Sequence, residues 1–133
     1  MISIFNKTIT LLNRFPDSEF SDTFYITKIN NCCAQVHIAS NNNMTNSSDN
    51  SKCSLFIKKS SISKPYLKPK DWLASQYKSS NMTFKDDDYV VIGSISESSV
   101  TDINAIYDKY DNVFKIYSYA YFNLLDSCQI KGL

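Results

Sequence analysis

Thr23-Phe-Tyr-Ile-Thr-Lys-Ile-Asn-Asn-Cys-Cys-Ala-Gln-Val-His-Ile38 is the stretch on which the reading of the fold turns. It is dense in β-branched and aromatic residues, the types that suit a pleated, half-buried surface, and it reads as strand. Asn30-Asn31 interrupts it, either as a hairpin turn between two strands or as a bulge in one long strand. Upstream, Ile2 and Ile4 and then Ile9 and Leu11 start a first strand or pair of strands. Downstream, Cys53 to Lys58 is a short strand, Tyr89 to Ile95 a nearly continuous apolar one, and Val113 to Tyr121 a third. Cys128 to Lys131 adds a final edge strand. Strands dominate.

Two short helices interrupt this pattern. Pro69 suits a first helical position, and Leu73 and Tyr77 fall four apart, predicting a helix from about Pro69 to Lys78. The second is clearer: Ile103, Ile106, Tyr107 and Tyr110 follow the spacing of a buried helical stripe. Ser99 or Thr101 is expected to cap its start, with Asp102 in the first turn and Lys109 in the last, where the helix dipole favours each. Residues 40–52 contain no branched aliphatic or aromatic side chain and have almost nothing to bury, which predicts a mobile polar loop. The expected architecture is one β-rich domain over residues 1–133: mainly β, a small barrel or sandwich with two short helices and long loops.

Composition fits that domain. The chain has 133 residues, 43% hydrophobic and 14% aromatic, with nine Tyr and two Gly. Such a chain can pack a core, and its tyrosines suit contact surfaces. The formal charge of +1 and the single arginine, Arg14, argue against a nucleic-acid binder, which concentrates Lys and Arg. The opening residues alternate apolar and polar, unlike the continuous apolar run of an export signal, and no stretch approaches the roughly 20 apolar residues of a membrane helix. The four cysteines, Cys32, Cys33, Cys53 and Cys128, include no C-x-x-C pair and are expected to be free, buried thiols.

Catalytic and metal chemistry find little to work with. The lone histidine, His37, reads as an ordinary strand residue, so a Ser–His or Cys–His pair would have to be built around it. No Cys or His pair has zinc-site spacing, and two glycines make neither kind of phosphate-binding loop. Asp86-Asp87-Asp88 reads as a solvated turn rather than a cation loop. Neither a cofactor nor a metal is expected. Lys64, Tyr66, Lys68 and Trp72 mix charge with aromatic surface and are the candidate contact residues, with Trp72 either a core anchor or an interface hot spot.

Three segments carry a family resemblance. Tyr66-x-x-Pro69-Lys70-Asp71-Trp72 is followed by Met82-Thr-Phe-Lys-Asp-Asp-Asp-Tyr-Val-Val-Ile-Gly-Ser-Ile95 and then by Tyr107-Asp-Lys-Tyr-Asp-Asn-Val-Phe-Lys-Ile-Tyr-Ser118. This order resembles a family of small proteins encoded beside the capsid and portal genes of tailed phages and prophages of Gram-positive bacteria. Its pattern runs Y-x-x-P-K-x-W, T-x-x-x-G-D-x-x-V-x-G-x-I and Y-D-x-V-x-x-I-x-S-V. The chain departs from it at Asp87, where the pattern has Gly, and at its end, where Gln129, Ile130 and Gly132 replace an H-W-x-V-x-G element.

The resemblance implies a minor capsid or head–tail connector protein with a fold like that of head-closure (stopper) subunits. It also implies the partners: further copies in a ring, the portal–adaptor side, and tail proteins, with DNA passing through the lumen and no membrane. The site of action would be the virion neck, assembled in the host cytoplasm. A tail-terminator or tail-completion subunit is the nearest alternative, and a secreted binding module a more distant one. An enzyme is not expected.

Overall fold

A computed structural model describes residues 6–18, 21–37, 52–121 and 127–133. The expected strand at Ile2 and Ile4, the side chain of His37 and all but the last residue of the 40–52 loop lie outside the described residues. Six antiparallel strands close into a barrel in the order β1-β2-β3-β6-β5-β4. They are β1 (Lys7–Ser18), β2 (Ser21–His37), β3 (Lys52–Lys58), β4 (Tyr89–Ile92), β5 (Val113–Tyr121) and β6 (Ser127–Gly132). Helices α1 (Pro69–Ala74) and α2 (Ile103–Lys109) lie in the connections either side of β4. The chain is mainly β, as its strand pattern predicts.

Closure follows from alternation. Ile9, Leu11, Ile29, Cys32, Leu55, Ile57, Val90, Ile116, Cys128 and Ile130 project into one core, so every strand contributes inward residues two apart or a bulge away. The Asn30-Asn31 interruption is the bulge. Lys7 pairs with Cys32 but Ile9 with Ile29, so β2 spends one more residue than β1, and Asn31 takes φ 59° to absorb it. Asparagine is among the few non-glycine residues that tolerate this conformation.

Two expected strands are corrected. The apolar run from Tyr89 stops at Ile92 rather than Ile95, because Gly93 turns at φ 127° and donates its N–H to the Thr8 carbonyl at 2.7 Å. The terminal strand is not an edge. It pairs with β3 on one side and β5 on the other and so completes the barrel. Gly132 is suited to that seam, since a Cβ there would meet Phe114 Cβ at 2.8 Å and Cys53 Sγ at 3.1 Å.

Helix α2 covers the outside of the barrel. Ile106 is buried with Leu12, Phe24, Val91, Val100 and Val113, and Ile103 and Tyr110 pack on the same cluster. Tyr107 was expected in the buried stripe but is 42% exposed, with its ring centre 6.0 Å from that of Tyr89 on β4. Two turns of helix on a curved sheet bury a narrower face than four stripe positions would fill. The cap is Asp102, which accepts from Asn104 N at 3.0 Å, rather than Ser99 or Thr101. Ile106→Ala should cost about 2–3 kcal/mol, the lower part of the range for emptying an aliphatic site, because the cluster lies near the surface and can relax. Chemical denaturation checks this, and a change under 1 kcal/mol would mean α2 is not anchored by Ile106.

Helix α1 is shorter than expected. It ends at Ala74, with Ser75 in extended conformation and its Oγ accepting from Tyr77 N at 3.0 Å. Leu73 and Tyr77 are consequently exposed rather than paired along a helix.

All four cysteines are buried thiols, none of them in a disulfide. Burial pushes the Cys32 thiol up to about 12 and the Cys53 thiol up to about 11, so little reactive thiolate forms at neutral pH. Folded protein should resist iodoacetamide, and denatured, unreduced protein should take up one label on each cysteine. A mass that stays short of four labels after denaturation would reveal a disulfide.

Candidate assembly surface

The four sequence candidates lie on the connection between β3 and β4, and most of them turn out to fasten that connection to the barrel. After a single 3-10 turn at Lys59–Ser61, the chain loops through α1 and returns to lie parallel to its own start, with Leu67 N bonded to Met82 O at 2.9 Å and Met82 N to Pro65 O at 3.0 Å. Lys64 is committed inward: its Nζ donates to Ile26 O at 2.9 Å and Thr27 Oγ1 at 3.1 Å, and burial lowers its pKa. The Tyr66 ring lies 5.8 Å from that of buried Phe84. Trp72 is wholly buried, which settles its two readings in favour of the core anchor. Its indole meets the edges of Phe15 at 6.4 Å and Tyr25 at 5.6 Å, filling the concave side of the β1–β2 hairpin beyond the barrel. Only Lys68 of the four is exposed. The segment is a strap closed by a plug.

The acidic triplet divides in two, and its last member corrects the expectation of a solvated turn. Asp87 is exposed at φ 70° and paired with Lys115 at 3.0 Å, and the Lys115 ammonium lowers its pKa. Its backbone conformation is one that glycine adopts freely. Asp88 is fully buried. Its Oδ1 accepts from Arg14 N at 2.8 Å and Lys85 Nζ at 2.5 Å, and its Oδ2 from Asn13 Nδ2 at 2.7 Å and Lys85 N at 3.2 Å. Burial outweighs these donors and pushes the carboxyl up to about 6. Nothing local separates Asp88 from its neighbours in sequence; its main partners on β1 lie more than seventy residues away.

The exposed aromatic surface lies elsewhere, on β5 and the end of α2. Tyr107, Tyr117 and Leu133 are 42%, 46% and 43% exposed. They line two adjoining open grooves of about 510 and 320 Å³ that share Lys115 and Leu133. Asp111 borders the first groove, Asp86 and Asp87 the second. The high tyrosine content anticipated a contact surface, but only the closed topology shows which tyrosines the core leaves outside. A bulge in β5 between Ile116 and Ser118 shifts the strand register beside Tyr117.

Among the described residues, no three His, Cys, Asp or Glu side chains gather to hold a metal ion. No helix among them is long and apolar enough to cross a membrane. The fold and surface together define a small closed β-barrel with a helical strap and a tyrosine-bearing outer face. Residues 4–129 match the DUF6751 family, a family of unknown function, and the chain belongs to it. No curated protein and no solved structure matches the chain.

Proposed function

We propose that the chain is a structural subunit of the phage neck, a ring-forming head–tail connector of the head-closure type that joins the portal–adaptor side to the tail. The observation that carries this reading is where the three resemblance segments fall in the barrel. Tyr66 to Trp72 forms the strap and plug, the Met82 to Ile95 segment holds the Asp87–Asp88 turn and β4, and Tyr107 to Ser118 runs from the end of α2 into β5. The shared pattern is thus the framework of a rigid barrel, with polar and aromatic positions left outside for neighbours. A formal charge of +1 suits a lumen through which DNA passes without sticking. The partners are then further copies, the portal or adaptor ring, and tail proteins, and the role is architectural rather than enzymatic.

The test is a reconstruction of the purified particle or its neck. The chain is expected as a closed ring between portal and tail, with each subunit burying about 1,600 Å² or more in total, since a neck must hold against packaged DNA. Absence from mature particles would sink the reading. A ring on the tail side of the stopper position would replace it with the tail-terminator role.

A further inference from the structure

We infer that two different faces of the barrel form a head-to-tail contact between copies of this chain, an acidic face at α2 receiving a lysine face on β3 and β6. The inference rests on the ring-subunit reading for its setting and on surface chemistry for its geometry.

The lysine face is set by alternation. With Cys53, Leu55, Ile57, Cys128 and Ile130 inside the barrel, the residues between them point outward. Ser54 pairs with Lys131 and Phe56 with Gln129, which places Lys52 and Lys131 beside each other at one end of this outer surface and the Phe56 ring at its centre. The adjoining outer positions of β2 are Cys33 and Gln35, so no carboxylate stands on this face among the described residues. Lys52 and Lys131 are exposed and have no ion-pair partner there.

The acidic face lies across the molecule. In the closed order β1-β2-β3-β6-β5-β4, strand β4 is three places from β3 and β1 three places from β6. Helix α2 packs on Phe24 of β2, Leu12 of β1, Val91 of β4 and Val113 of β5, so its centre lies across the barrel from the β3–β6 seam. Asp108 and Asp111 are exposed there, likewise without an ion-pair partner among the described residues, on either side of the α2 end beside Tyr107. The two lysines nearest to them are already engaged, Lys109 with Glu97 at 3.5 Å and Lys115 with Asp87 at 3.0 Å. A carboxylate face on α2 thus stands across the barrel from the exposed Lys52 and Lys131. Faces on opposite sides of one subunit make a heterologous contact, which repeats from copy to copy and closes into a ring when the rotation permits.

Carbodiimide cross-linking of the full chain, mixed as isotope-labelled and unlabelled copies at high concentration and low salt, reads the contact directly. The expected product links Lys52 or Lys131 of one copy to Asp108 or Asp111 of another. Its yield should fall about tenfold in 1 M salt, where the screening length shrinks to about 3 Å. The double variants Lys52→Glu/Lys131→Glu and Asp108→Lys/Asp111→Lys, each checked for native circular dichroism, should fail to link alone. Mixed together they should link again between unlike copies only, both through the original Lys52/Lys131–Asp108/Asp111 pair and through the reversed one. Links that avoid these faces, or no inter-copy link at any concentration, overturn the contact. A ring in the particle joined through other faces would overturn it while sparing the connector reading. The contact forming in solution with the chain absent from particles would do the reverse.

Discussion

Trp72→Ala should lower the unfolding free energy by about 3–5 kcal/mol, the range for truncating a buried aromatic. Trp72 is wholly buried, and its indole is the body that Phe15 and Tyr25 close upon from β1 and β2. Lys85 Nζ lies 5.4 Å from the ring and Lys78 Nζ 5.9 Å, so the alanine variant also removes the surface these two ammoniums approach. The cavity would open between the strap and the hairpin, where only one short helix can move to fill it. Trp72→Phe should recover more than half of the loss, because the ring edges of Phe15 and Tyr25 keep an aromatic partner. Urea denaturation of both variants decides it. If Trp72→Ala unfolds within 1 kcal/mol of the parent, the strap does not stabilise the barrel and Trp72 is better placed at an interface.

Trp72 also illustrates what the sequence conceals. Spacing alone reads a Trp after Pro69 in a lysine-rich segment equally well as plug or as contact, because the choice depends on whether the distant β1–β2 hairpin curves over it. Strand content is legible for the opposite reason. Val113 to Tyr121 keeps its bounds as β5 because alternation and aromatic density are local properties of one segment. Ile106 is legible through helical spacing, whereas Tyr107 is not, since sheet curvature sets the width of the buried stripe. The final strand reads as an edge until its pairing on both sides is known, and pairing is a long-range property. The same limit hides the candidate contact surface: Tyr107, Lys115 and Tyr117 fall in one segment of sequence, but Leu133 joins them only through the pairing of the chain end beside β5.

Asp88→Ala should be comparably damaging and should carry a pH signature. Removing the carboxylate leaves Asn13 Nδ2, the Arg14 and Lys85 amides and the Lys85 ammonium without their acceptor, and stranding a buried ionic partner costs about 3–5 kcal/mol. The pH dependence follows from the carboxyl being raised to about 6, against an ordinary value of 3.8. Between those two values the folded chain holds a proton that the unfolded chain has released. The contribution of Asp88 to stability is therefore greatest below about pH 4, declines as pH rises to 6, and is level above that. A shift of this size amounts to about 3 kcal/mol. Asp87 and Glu97 act in the opposite sense: neighbouring Lys115 and Tyr110 lower their pKa values, so their contributions are present above the ordinary carboxylate range and lost as pH falls. The clean quantity is thus the difference between parent and Asp88→Asn, which keeps Asp87 and Glu97 and removes only the buried titration. That difference should shrink against the parent from pH 4 to 6 and stay constant from 6 to 8. A parent that instead gains on Asp88→Asn across pH 4 to 6 would mean that the four donors, and not burial, govern Asp88.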